Sequence, residues 1–168
     1  MQKKYKKRLL RGLIHYRKLS DKLFKLPFIG FVFVILFLSY AVVLPFAFFD
    51  DGVVHPIHKD PFTYRIFAAC IIAPLWETMF YQVIPIHVFT EAIIKKRNIA
   101  IFLSALFFGI VHYFSLVYIA FTFAIGLLFA WAYLNYYERY GFNRAFWAIT
   151  IVHALRNAIA VVAGEFLG

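Results

Sequence analysis

Charge is scarce in this chain of 168 residues, of which 15% are charged and only eight are acidic. Soluble globular domains contain about 25% charged residues, so that class is excluded. Hydrophobic residues make up 64% and the mean hydropathy is +0.77, which excludes disorder. The single cysteine, Cys70, excludes an intrachain disulfide and a cysteine metal cluster. Since a spanning helix needs roughly 20 apolar residues, the sequence predicts an all-α polytopic membrane protein.

Basic residues are concentrated at the N-terminus. Residues 1–25 contain ten lysines and arginines and one acid, Asp21, so most of the net charge of +10 lies there. Such a tail stays in the cytoplasm and attracts anionic lipid. An apolar stripe within it predicts that residues 1–26 form an amphipathic segment on the inner membrane surface. The basic charge therefore indicates a lipid partner, and no nucleic acid is expected.

The apolar runs predict about five transmembrane helices. Their expected bounds are 27–49, 62–90, 99–114, 116–137 and 145–166. Pro74 and Pro85 are expected to kink the second helix. Basic loops fall on the side of the tail, which predicts a cytoplasmic N-terminus and a C-terminus outside the membrane. We expect an integral protein of a bacterial inner membrane.

Four polar side chains fall where lipid is expected: Glu77 in the second span, His112 in the third, and His153 with Asn157 in the fifth. Such groups are costly in a bilayer and usually face the bundle interior. At 1.5 Å per residue, Glu77, His112 and His153 lie at similar depth. A carboxylate and two imidazoles can activate a water, and they also form a common zinc ligand set.

Three motifs carry a family resemblance: ETMFYQ at 77–82, FGIVH at 108–112 and HALRN at 153–157. They match EExxxR, FxxxH and HxxxN in order, on successive predicted helices. The chain thus resembles the type II CAAX prenyl endopeptidases and bacteriocin-immunity-associated proteins, the CPBP or Abi family of intramembrane proteases. The resemblance covers residues 62–168 as a four-helix, CAAX-protease-like core bundle and leaves out the first span and the tail.

The resemblance implies an intramembrane endopeptidase acting on a membrane-associated peptide or protein. By position, Glu77 is the general base that activates water, and His112 helps to hold that water. His153 and Asn157 stabilise the oxyanion of the tetrahedral intermediate. Family members are described both as metalloproteases and as metal-independent glutamate proteases. The cofactor therefore stays open between zinc, bound by Glu77, His112 and His153, and none.

Four further residues have secondary roles. Thr78 and Gln82 replace the second glutamate and the arginine of the first motif, and both are interpreted as structural. Phe108 lies one helical turn before His112 and packs beneath it. Arg156 is expected to face the pocket as a counter-charge to Glu77.

Two other functions remain open. The degenerate first motif favours a protease-like scaffold, chaperone or immunity partner that binds a membrane protein without cleaving it. A transporter or channel subunit with Glu77 as its ion site is disfavoured, because no inverted repeat is present. Convergence of Glu77, His112, His153 and Asn157 would favour hydrolysis.

Overall fold

The computed structural model describes residues 20–49, 60–93 and 96–166. Residues 1–19, which make up most of the predicted surface segment, lie outside this part of the chain. Within the described residues, the structure is helical and contains no strand. The helices are α1 (Phe28–Ala41), α2 (Phe62–Ile93), α3 (Arg97–Ile110), α4 (Leu116–Tyr140) and α5 (Phe142–Phe166). The predicted all-α membrane fold is confirmed.

The first predicted span is divided. α1 ends at Ala41, and a 3₁₀ helix follows at Leu44–Phe48. Pro45 is the physical reason, because a proline ring clashes with the carbonyl four residues earlier and prevents the α-helix from continuing. With the 3₁₀ turn, the stretch is still long and apolar enough to cross a membrane, as are α2, α4 and α5.

α3 is shorter than expected. It has 14 residues and a length of about 21 Å, less than the roughly 30 Å of a hydrocarbon core. The predicted helix to residue 114 is therefore wrong, since the helix ends at Ile110 and a turn occupies 111–114. Ser115 is the N-cap of α4, where its Oγ accepts the Tyr118 N–H at 3.0 Å, so the chain reverses within a few residues. His112 lies in this turn.

α2 passes through both predicted proline positions without a break. It alternates α-helical segments with π-helical turns, which lie at Ala68–Ile72, Thr78–Val83 and Val88–Ile93. Pro74 and Pro85 are each the second residue of an α-helical segment that follows a π turn. Glu77 immediately precedes the second π turn. Such turns are frequent at functional sites because they re-aim neighbouring side chains.

α3 and α4 pack closely through two glycines. A Cβ added at Gly126 would lie 3.1 Å from Ala105 Cα, and one at Gly109 would lie 3.0 Å from Phe123 Cβ. Larger residues would therefore separate the helices. The close approach fixes the end of α3, and with it Phe108 and the turn that carries His112.

α1 belongs to the same packed core. Phe31 stacks on Tyr136 of α4 with ring centroids 4.0 Å apart. Arg156 of α5 donates to the backbone oxygen of Ser39 at 3.1 Å. The first span is therefore integrated with α4 and α5.

Candidate active site

The predicted carboxylate and imidazoles converge. Glu77 Oε2 lies 3.6 Å from His112 Nε2 and 3.5 Å from His153 Nε2. The three side chains come from α2, from the turn after α3 and from α5. Glu77 and His153 are 76 positions apart in the sequence, and the packing of α2 against α5 brings them together. The turn after α3 adds His112 to the same place.

The central oxygen is buried and without a hydrogen-bond partner among the described residues. This atom is Glu77 Oε2, which lies between the two imidazoles at distances just beyond hydrogen bonding. A buried carboxylate oxygen without a partner is costly. The arrangement suits a small polar molecule that can donate to this oxygen.

A backbone contact determines the proton position on His112. Its Nδ1 lies 2.6 Å from the Phe108 carbonyl oxygen, and a carbonyl only accepts, so Nδ1 carries a proton. In the neutral imidazole, Nε2 is then an acceptor. Because this acceptor faces the Glu77 carboxylate, a proton must lie between them, on one of the two groups or on a water that donates to both.

Aromatic rings enclose the two imidazoles. The Phe108 centroid lies 4.8 Å from that of His112 and 5.7 Å from that of His153. Phe129 lies 5.6 Å from His153 on a neighbouring side. The predicted packing of Phe108 beneath His112 is thus present in the structure, and the same ring also contacts His153.

The three groups line a cavity of about 310 Å³ between α2, α3, α4 and α5. Asn157 also lines it, and its Nδ2 donates to the Ala69 carbonyl oxygen at 2.7 Å. A side-chain amide has two N–H donors, so one remains for a bound molecule. All four residues singled out from the sequence therefore share one cavity.

A second cavity, of about 320 Å³, lies on the other side of Glu77. It shares Glu77 and His112 with the first cavity. Its outer wall includes Trp76 and Phe80, which stack at 4.9 Å and are 59% and 45% exposed. Both rings therefore lie on the surface of the described bundle.

Arg156 lines the first cavity but does not form the predicted ion pair. Within the described residues, the ion pairs of Glu77 are with His112 and His153. The Arg156 guanidinium instead bonds the backbone and side-chain oxygens of Ser39. The α1 helix therefore provides the partner that the sequence did not identify.

Thr78 and Gln82 point into the bundle and are fully buried. Gln82 Oε1 accepts from Ser104 Oγ at 3.2 Å. Thr78 Oγ1 and Gln82 Nε2 have no hydrogen-bond partner among the described residues. Neither residue lines the cavities described above, which agrees with a structural interpretation.

Sequence reasoning misses two cavity residues, Arg65 and Tyr118. Arg65 is buried and forms an ion pair with the partly exposed Glu165, and the sequence could have indicated it, because a charged residue inside a span is unusual. Tyr118 lies with its ring 6.0 Å from that of His112. Nothing in the local sequence separates this tyrosine from the many other aromatics.

The carboxylate and the two imidazoles of the site are donor types that zinc accepts. Within the described ranges, no group of three or more histidine, cysteine or acidic side chains is arranged to hold a metal ion. Zinc ligation by Glu77, His112 and His153 stays a prediction of the sequence.

The described helices, four of which are long and apolar enough to cross a membrane, define an all-helical integral membrane protein. The family model described as "Type II CAAX prenyl endopeptidase Rce1-like" matches residues 59–159, more than half of the chain. The chain therefore belongs to the Rce1-like family of CAAX-protease-type membrane endopeptidases, which confirms the resemblance. The match includes α2, α3, α4 and most of α5. No curated protein and no solved structure matches the chain.

Proposed function

We propose that the protein is an intramembrane endopeptidase that hydrolyses a peptide bond with a water activated by Glu77. The observation that carries the proposal is the buried Glu77 Oε2, without a hydrogen-bond partner and between two imidazole nitrogens on a cavity wall. General acid–base catalysis needs a base within hydrogen-bond reach of the proton that it removes.

The first step is attack by water on the scissile carbonyl carbon. The water donates one hydrogen bond to Glu77 and one to Nε2 of His112, which orients its lone pair toward the substrate. Glu77 takes the proton as the carbon–oxygen bond forms. The carbonyl oxygen becomes an oxyanion, and the proton on Glu77 is then available to the leaving amine as the carbon–nitrogen bond breaks.

The oxyanion is stabilised by His153 and by the second N–H of Asn157. These residues are one turn apart on α5, and both line the cavity. Donors held rigidly in a water-poor site stabilise developing charge more than water does. The bond from Asn157 to Ala69 supports this role, because it fixes the amide before the substrate binds.

The substrate enters from the bilayer, between α2 and α3. The second cavity, with exposed Trp76 and Phe80 at its edge and Glu77 at its base, supports this route. A membrane-associated peptide can thus reach the base without crossing a water-filled channel.

We further propose a cytoplasmic N-terminus. Arg139 contacts Asp21 at 3.4 Å and Arg97 contacts Glu138 at 2.6 Å, which supports placing the basic loops and the end of the tail at one end of the bundle. The positive-inside rule assigns that end to the cytoplasm. Anionic lipid at the tail and a bacterial inner membrane stay predictions.

The experiment is hydrolysis by the purified full chain in lipid vesicles. Lipid-anchored peptides are incubated in H₂¹⁸O and the products are identified by mass spectrometry. We expect one ¹⁸O atom in the new carboxyl group and, with Glu77→Gln, a hydrolysis rate about 10²–10⁴-fold lower. A chelator arm reports metal dependence, and the glutamate mechanism predicts that activity persists.

The runner-up is a scaffold or immunity partner without proteolytic activity. The specific observation in its favour is that Thr78 and Gln82, which replace the charged residues of the first motif, are buried away from the cavity. Binding of a membrane-protein partner that is unaffected by Glu77→Gln, together with no cleavage by the unaltered chain, would favour it.

A further inference from the structure

Arg156 is a buried cation on the wall of the catalytic cavity. It is 9% exposed and lines the same space as Glu77 and His153. A cation in this position is expensive, because taking a charge out of water costs several kcal/mol unless a counter-charge accompanies it.

Neutral groups surround this cation in the described structure. Nη1 donates to the backbone oxygen of Ser39 at 3.1 Å and to its Oγ at 3.3 Å. The guanidinium carbon lies 4.6 Å from the Tyr40 ring centroid and 5.3 Å from that of Phe121. These contacts hold the side chain in place, but none of them supplies a negative charge.

The nearby acids already have other partners. Glu165 pairs with Arg65, and Glu77 faces the two histidines. Within the described residues, no carboxylate oxygen lies within 4.0 Å of the Arg156 nitrogens. The cavity therefore presents one fixed positive charge without an acidic partner.

We infer that Arg156 is an anion subsite that binds a carboxylate of the substrate; this inference rests on the proposed peptidase function. A guanidinium held at one edge by Ser39 can present N–H groups to a carboxylate in the cavity, the geometry that arginine provides best.

The position limits which carboxylate can bind. Arg156 is three residues beyond His153 on α5, a rise of about 4.5 Å, and an extended peptide advances about 3.3 Å per residue. The bound carboxylate thus lies within about two residues of the scissile bond. It is either the carboxyl terminus of the peptide or the side chain of an aspartate or glutamate.

The test measures binding without turnover. The full chain carrying Glu77→Gln is placed in vesicles of zwitterionic lipid and titrated with N-dodecanoyl tetra-alanine, as the free acid and as the C-terminal amide. A second pair of amidated peptides carries aspartate or asparagine at its second position. The two peptides of each pair differ only in whether one carboxylate is present.

We expect at least one carboxylate probe to bind roughly tenfold to a hundredfold more tightly than its neutral twin, as a charge-assisted hydrogen bond predicts. Preference for the free acid identifies a carboxyl terminus, and preference for aspartate identifies an acidic side chain. With Arg156→Gln, the preference should fall below about twofold. Arg156→Lys should keep part of it, which covers the case in which the glutamine variant does not fold.

Ser104→Ala is the matched control, because it also removes a buried serine hydroxyl, which donates to the Tyr81 carbonyl oxygen at 2.6 Å and does not contact Arg156. It should retain the preference for the carboxylate. Equal binding of charged and neutral probes, no binding of any probe, persistence of the preference in Arg156→Gln, or its equal loss in Ser104→Ala would each overturn the inference. A clear preference in a protein that cleaves nothing would overturn the proposed peptidase instead and leave the anion subsite standing.

Discussion

Arg65 and Glu77 are two charged residues of α2 that line the same cavity but have different partners. Arg65 is paired directly with Glu165 of α5, whereas Glu77, twelve residues later, faces two imidazoles and has an oxygen without a hydrogen-bond partner. The ion pair of Arg65 ties α2 to α5 and balances its charge, although Arg65 Nε is also buried without a hydrogen-bond partner among the described residues. A charge without such a partner is poised to bind and activate a ligand. We therefore expect the Arg65–Glu165 pair to stabilise the fold and Glu77 to take part in the reaction.

The largest loss after removal of the base itself is expected at Asn157. Asn157→Ala removes the proposed oxyanion donor, and we expect a hydrolysis rate about 10²–10³-fold lower, measured with the vesicle assay. Asn135→Ala is the matched control, because Asn135 also donates to a backbone carbonyl, that of Trp131 at 2.6 Å, away from the cavity. An equal loss in both variants would refute a specific role for Asn157.

Shortening the base sharpens the contrast further. Glu77→Asp keeps the charge but withdraws the carboxylate from the imidazoles by one methylene. Since a misplacement of about 1 Å can cost around 10²-fold in rate, we expect a loss of that order in kcat with a similar amount of protein in the membrane. Unchanged turnover would mean that the distance from the carboxylate to the imidazoles is irrelevant.

Separating α3 from α4 should move His112 without touching it. Gly126→Val places side-chain atoms against Ala105, where even a Cβ would lie 3.1 Å away, and overpacking costs about 1–3 kcal/mol. We expect a lower thermal unfolding temperature together with slower hydrolysis. Gly30→Ala is the control, since its added Cβ meets nothing closer than 3.8 Å; a similar defect there would argue against a specific effect of the α3–α4 contact.

Breaking the Arg65–Glu165 ion pair should lower the stability of the protein without slowing hydrolysis. Glu165→Gln removes the negative partner of Arg65, and a hydrogen bond to a charged group contributes about 1.5–3 kcal/mol. Because Glu165 is partly exposed, we expect the lower part of that range, seen in thermal unfolding in detergent, with hydrolysis within about twofold. A loss of hydrolysis rate as large as that of Asn157→Ala would contradict a purely structural role for the Arg65–Glu165 pair.

The smallest effect is expected at Thr78. Thr78→Val has nearly the same shape and removes a buried hydroxyl without a partner, a change that is close to neutral or stabilising. The unfolding free energy should change by less than about 1 kcal/mol, and hydrolysis should persist. Loss of cleavage at normal protein levels would show that Thr78, which replaces the second glutamate of the first motif, takes part in catalysis.

The sequence predicts the parts of the site that follow from local spacing and depth. Glu77, His112 and His153 could be placed at one level because helical rise converts position into depth. The partner of Arg156 could not be predicted, because Ser39 lies 117 residues away on a helix outside the family motifs. The end of α3 and the π turns of α2 could not be predicted either, because both depend on packing between helices rather than on composition.

One comparison tests the central claim most directly: hydrolysis rates of Glu77→Gln and Glu165→Gln, measured side by side with the unaltered chain in the same vesicles. Each substitution neutralises a glutamate that contacts a charged or titratable side chain across α2 and α5, but only Glu77→Gln removes the proposed base. We expect a loss of about 10²–10⁴-fold for Glu77→Gln and a change within about twofold for Glu165→Gln. Equal rates for the two variants, or substantial cleavage by properly inserted Glu77→Gln protein, would contradict this expectation.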